Sequence, residues 1–168
     1  MKAQSNHTEQ YIIAGMGKTK TLFLRENITE IQNEDGDTLY QYDEYRLDIR
    51  DRAGIEQYVA DNFDALLAKA KQVEVDAITA KKEKVIDNHI DKVAAARGYG
   101  RDGIRPSVAC IGYASYENEY QAEAIGYGKW VASLWPVVFS IMSDVSVGLR
   151  DIPTDEELIS ELPEMVWQ

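Results

Sequence analysis

Cysteine, histidine and proline are scarce in this chain, and each scarcity removes a class of chemistry. Among 168 residues there are one cysteine, two histidines and four prolines. A lone thiol, Cys110, cannot close a disulfide within the chain, so the fold need not mature in an oxidising compartment. Set in the apolar run SVACIGY, it reads as a small buried hydrophobe. His7 and His89 offer no nucleophile–base pair at a useful spacing. The acids beside His89, Asp87 and Asp91, stand two residues away and point to other sides of a helix, while Val85, Ile86 and Val93 fill the three- and four-residue positions. No metal site and no cofactor site is expected; His89 reads as an interfacial or partly buried ring, and His7 as part of a mobile tail.

Positive charge is also in short supply. The formal net charge is −11, which opposes binding to nucleic acid phosphates and to anionic membrane surfaces. Residues 98–168 hold eleven of the acids against four bases, so the C-terminal part is the most acidic. Long apolar runs are missing too. The greasiest stretch, Trp130 to Met142, is too short to cross a bilayer. The opening MKAQSNHTEQ has no apolar core of the kind a signal peptide needs, so a cytoplasmic origin is expected.

What is present is organised in three regimes: 1–52, a small β-unit; 53–97, a helical connector; and 98–168, a helical module. The fold class expected is α+β, with an N-terminal antiparallel β-unit, a long central helix or helical hairpin, and a C-terminal helical module. Tyr11–Ala14, Thr19–Arg25, Asn27–Gln32 and Thr38–Ile49 are rich in β-formers. Gly15-Met16-Gly17 makes a turn, and Asn33-Glu34-Asp35-Gly36-Asp37 suits a hairpin. Along the last run Leu39, Tyr45, Leu47 and Ile49 share one face with Gln41 and Asp43; Tyr40, Tyr42, Glu44, Arg46 and Asp48 take the other. So small a sheet needs a helix or a partner chain to lean on.

From Ala53 to Arg97 there is no proline and one glycine. Val59, Phe63, Leu66, Ala70 and Val73 recur at helical spacing, and the pattern shifts phase near 77–84. One helix of roughly 65 Å, or two broken near 79–84, fits. A thin stripe on a long helix calls for company, and these five residues are the candidates for self-association. GYGRDGIRP at 98–106 is the clearest linker. Helices then follow over Ser107–Ala114 and Asn118–Val147, the latter apolar on most sides, with a kink or break at Pro136. Thr154 and Glu157 form a capping box for a short last helix.

Two tempting motifs fail. GMGKTK contains Gly-Lys-Thr, but the first glycine of a phosphate-binding loop is replaced by Ile12 and a β-rich run follows instead of a helix. Glu119 and Glu123 share a helix face, yet nothing in the spacing sets two carboxylates across a cleft. Glu123 reads as an anchor needing a cationic partner, with Arg101 or Arg105 nearest. Gly126 and Gly128 inside the same helix suggest close backbone approach by another element such as an aromatic ring. Together with Tyr127, Trp130 and Trp135, Glu123 is expected to build the C-terminal core.

Residues 99–163 also resemble a module of tail-associated proteins from tailed bacteriophages. The resemblance is carried by Tyr113-Ala-Ser-Tyr116, Gln121-Ala-Glu123-Ala124, Trp130, Trp135, the Ser-Asp-Val-Ser-Val-Gly run at 143–148, Ile152-Pro153-Thr154, Glu156-Glu157-Leu158 and Leu162-Pro163. Tyr40-Gln-Tyr42-Asp43-Glu44-Tyr45-Arg46-Leu47 is similar to small proteins encoded beside phage tail fibres. The resemblance implies a non-enzymatic structural or attachment role in a tail, baseplate or fibre, made in the host cytoplasm and carried in the virion. Its partners would be other tail or fibre proteins and copies of itself. An assembly chaperone for a tail fibre is the alternative, and a cell-wall hydrolase using Glu119 or Glu123 a more remote one.

Overall fold

A computed structural model describes residues 2–33, 35–101 and 103–167. Met1, Gln168, Glu34 of the expected hairpin and Asp102 of the expected linker lie outside the described residues. The protein is α+β: strands β1 (Lys2–Ser5), β2 (Tyr11–Ala14), β3 (Thr19–Gln32) and β4 (Thr38–Arg50), then α1 (Ile55–Asp61), α2 (Phe63–Ala96), α3 (Pro106–Gly112), a 3₁₀ turn at Tyr113–Ser115, α4 (Gln121–Ser146) and α5 (Asp155–Ser160). Two compact units result, Met1–Ala77 and Ile78–Gln168. Where composition draws a separate connector at 53–97, α2 instead contributes its first turns to one unit and its later turns to the other.

In the first unit the sheet is antiparallel in the order β1-β4-β3-β2. Leu22 lies opposite Leu47, and Leu24 opposite Tyr45. Because side chains alternate, this register places Tyr11, Ile13, Leu22, Leu24, Tyr45, Leu47 and Ile49 on one face. That face packs on Val59 of α1 and on Leu66, Leu67 and Ala70 of α2. Each fully buried leucine contributes about 1.5–3 kcal/mol, which is what a sheet this small requires. The opposite face is mixed, with Ile12, Phe23 and Tyr42 beside Arg25, Glu44 and Arg46. Arg25, itself buried, binds Glu44 at 2.9 Å and lies 4.2 Å above the Tyr42 ring. Thr19–Arg25 and Asn27–Gln32, separate runs by composition, form one strand with a bulge between Glu26 and Thr29. Asn27 supplies the positive φ there and donates to Asp43.

Two expectations fail here, and a third is narrowed to the longer of its two forms. The N-terminal residues are not a loose tail: Lys2–Ser5 pair with Tyr40–Asp43, and His7 follows directly. The connector breaks at Asn62, between α1 and α2, and is unbroken through 79–84. The Asn62 side chain donates to the Tyr58 carbonyl, competing with the helix ladder. Finally, the stripe proposed for self-association is spent inside the chain. Val59, Leu66 and Ala70 are buried under the sheet, Phe63 packs against the same core beside Tyr11, and only Val73 is exposed.

In the second unit Ile86, Ile90 and Ala94 of α2 meet Cys110 of α3, Tyr127, Trp130, Leu134, Val138, Ile141 and Met142 of α4, and Leu158 and Leu162 at α5. Glycines end both long helices. Gly98 and Gly148 have positive φ; Tyr99 N–H reaches the Ala94 carbonyl and Leu149 N–H the Asp144 carbonyl, each a Schellman closure. The capping box at Thr154 and Glu157 is formed in both directions. Pro136 sits within α4, which runs through it without a break.

Candidate functional site

The reversal at Gly98 sets up the most elaborate polar cluster of the second unit. Arg97, at the end of α2, grips Glu123 on the first turn of α4 with both ends of its guanidinium, at 2.9 and 2.8 Å. Tyr99 donates its hydroxyl to the same carboxylate at 3.0 Å. The partner of Glu123 is therefore Arg97, and neither Arg101 nor Arg105. Arg105 instead binds Asp91 at 2.8 Å, and the Ser107 backbone donates to Asp91 as well. The hydrogen bond from Arg97 holds the Glu123 carboxyl below the usual range, against the opposing effect of burial. Burial pushes Asp91 up, but the bonds from Ser107 and Arg105 outweigh it and the net shift is down.

A continuous series of rings runs beside this cluster. Tyr113 contacts Tyr116, Tyr120 and Tyr99; Tyr99 contacts Trp167; Trp167 stacks on Tyr127 at 5.6 Å and 5°; Tyr127 contacts Trp130, and Trp130 contacts His89. Tyr127 is fully buried and donates to the Ile90 carbonyl at 2.8 Å. Trp130 donates its indole N–H to the Pro163 carbonyl at 2.8 Å. Trp135 is half-buried and packs on Phe139. A cavity of about 630 Å³ opens beside the cluster, lined among others by Arg97, Tyr99, Arg101, Tyr113, Tyr120 and Glu123.

This arrangement suits anchoring better than proton transfer. Both Glu123 oxygens are occupied by donors, and its lowered pKa keeps it ionised, whereas a general acid needs a raised one. Glu119, its expected companion, acts on Tyr120 instead, whose pKa it raises. Burial pushes the Cys110 thiol up to about 11, so it is not a ready nucleophile. Burial, helped by Lys92, lowers the His89 pKa, so this ring favours its neutral form. Among the described residues no group of three or more potential ligands could hold a metal ion. Lys20 turns back to the Gly15 carbonyl, so the Gly-Lys-Thr segment is a turn joining β2 to β3.

Gly126 and Gly128 are not sites of close approach. A Cβ built on either would meet nothing within 4 Å. The glycine that is crowded is Gly100, where a Cβ would lie 2.8 Å from Pro106. Spacing did not single out Arg97, Tyr99 or Trp167; the one available signal was Gly98, whose position after a long helix marks a chain reversal.

The fold thus defines an α+β protein of two compact units, the second built around an ionised carboxylate locked by arginine and tyrosine. No family model, characterised protein or solved structure matches the chain. No helix among the described residues is long and apolar enough to cross a membrane.

Proposed function

We propose that the chain is a non-enzymatic structural or attachment protein of a phage or phage-like tail, and that it works by binding other protein. One observation carries the binding reading. α4 is apolar on two sides: Tyr127, Leu134, Val138 and Ile141 are buried, while Ile125 and Phe139 remain 41% and 55% exposed. A helix apolar on opposite sides is normally enclosed, so the uncovered side calls for a protein neighbour. Val147, Leu149 and Ile152 in the following loop are exposed as well. The anchoring of Glu123 weighs against the hydrolase reading, and the tail setting rests on the sequence resemblance.

The test is mass spectrometry of particles purified from the strain encoding the chain. The chain is expected in the particles in stoichiometric amounts, and Phe139→Ser is expected to lower its incorporation at unchanged folding. Absence from the particles, with co-purification of a fibre polypeptide from lysate, would select the assembly-chaperone reading. Loss of wall-substrate turnover in a folded Glu123→Gln variant would establish the hydrolase.

A further inference from the structure

β4 is longer than the strand that covers its outer edge. β1 pairs only with Tyr40–Asp43, and among the described residues no strand covers the edge beyond. The direction of the backbone groups there follows from the ladder. Asp51 N–H donates to the Lys18 carbonyl, one step beyond the Thr19–Arg50 pair. Hydrogen-bonded and non-bonded pairs alternate in an antiparallel ladder. The odd residues Tyr45, Leu47 and Ile49 therefore bond toward β3, and Arg46, Asp48 and Arg50 aim their N–H and C=O groups away from it. All three are exposed. A groove of about 690 Å³ runs along this edge, lined by Ala3, Leu47 and Phe23 and by Val73 and Ala77 of α2.

The residues along the edge read Glu44-Tyr45-Arg46-Leu47-Asp48-Ile49-Arg50. Turned end for end, this segment meets itself with opposite charge at every charged position. With Leu47 opposite Leu47, Arg46 of each copy faces Asp48 of the other, Glu44, which keeps its bond to Arg25, faces Arg50, and Tyr45 faces Ile49. The parity also agrees: Arg46 and Asp48 both aim their backbone groups outward, so they can exchange two hydrogen bonds. A shift by one residue would set outward groups against inward ones. A shift of the sum by two would set Arg46 opposite Arg46, or Asp48 opposite Asp48. A shift by four keeps a single kind of opposite pair, Asp48 with Arg50 or Glu44 with Arg46, so the central register is the one that matches all four charged residues.

We propose that the protein forms a two-fold dimer by antiparallel pairing of residues 44–50 with the same residues of a second copy, giving one continuous eight-stranded sheet. Charged edge strands commonly repel a further strand, but repulsion requires like charges opposite one another, and this alternation provides the reverse in the central register. Within one chain Arg46 and Asp48 are 3.6 Å apart and 67% and 53% exposed, so their present pairing is weak. Asp48 also accepts from the Thr21 hydroxyl at 2.7 Å, and a carboxylate has room for a further donor from the second copy. The exposed Val73 and Ala77 lie along the same groove and would be covered by the second copy. This surface is separate from the α4 face, and the inference does not depend on the tail reading.

Charge reversal tests it. Sedimentation equilibrium should find the wild type dimeric at about 100 µM. Arg46→Asp and Asp48→Arg should each weaken dimerisation at least about tenfold, because two cross-strand pairs turn repulsive. Mixing the two single variants should restore a dimer containing one copy of each, since their central charges are again opposite, and the Arg46→Asp/Asp48→Arg double variant should dimerise alone. Circular dichroism melting checks that each variant is folded. A monomeric wild type, single variants that dimerise as the wild type does, or a mixture that stays monomeric would each overturn the proposal. So would an extended segment of another protein occupying this edge in place of the second copy.

Discussion

Asp91 of α2 and Glu123 of α4 are each held by an arginine that follows α2, Arg105 and Arg97, and both have pKa values lowered in the fold. A carboxyl whose pKa is lower folded than unfolded adds stability that is fully present above its unfolded value. That stability drains away as pH falls through the folded value. The second unit should therefore lose stability on acidification below about pH 4.5, the ordinary glutamate value. Glu123→Gln should be less stable than the wild type at pH 7, and the difference should shrink as pH approaches 3. Urea unfolding at a series of pH values measures it; a difference that does not change with pH would show that Glu123 does not act through its charge. At Gly126 and Gly128 the expectation is the opposite sign. With open space around each Cβ position and helical backbone throughout, alanine should raise stability by about 0.5–1 kcal/mol per site. Thermal melting of the two single variants checks this. A loss at either site would mean that a partner approaches there.

At the scale of elements, Pro136 makes the clearest case. It cannot donate to the Ala132 carbonyl, yet α4 continues through it, and the residue is exposed. Pro136→Ala should then stabilise the second unit by up to about 3 kcal/mol, visible as a higher denaturant midpoint at unchanged slope. Local signals were the ones legible in the sequence. The Thr154–Glu157 capping box, the glycine-rich stretch after α2 and the apolar character of α4 are set by neighbours a few residues apart, and each forms as the pattern indicates. What could not be read depends on distant pairing. Lys2–Ser5 carries no strand pattern of its own and becomes a strand because β4 offers an edge. The stripe Val59, Leu66 and Ala70 announced an apolar surface correctly in kind, but periodicity does not say whether the sheet of the same chain or another chain covers it. Glu123 was legible as a carboxylate in need of a cation, while its arginine lay 26 residues away across a reversal.

At the scale of the whole molecule, the two hydrophobic clusters have no residue in common. One gathers Leu22, Leu24, Leu47, Val59, Leu66, Leu67 and Ala70; the other gathers Ile86 through Leu162. Each unit has its own core, and α2 is the element they share. Cooperativity follows burial, so two cores predict two unfolding steps, and a single midpoint would not describe the chain. Leu22→Ala and Leu134→Ala separate them, because both leucines are fully buried and each belongs to one core. Each substitution should cost about 2–5 kcal/mol, since a cavity remains where the methyl groups were. In differential scanning calorimetry Leu22→Ala should move one transition down and leave the other in place, and Leu134→Ala should do the converse. Near-ultraviolet circular dichroism assigns the transitions independently, because Trp130, Trp135 and Trp167 all lie in the second unit. If either substitution lowered both transitions together, the continuous helix would be transmitting stability from one core to the other, and the chain would have to be treated as a single cooperative fold.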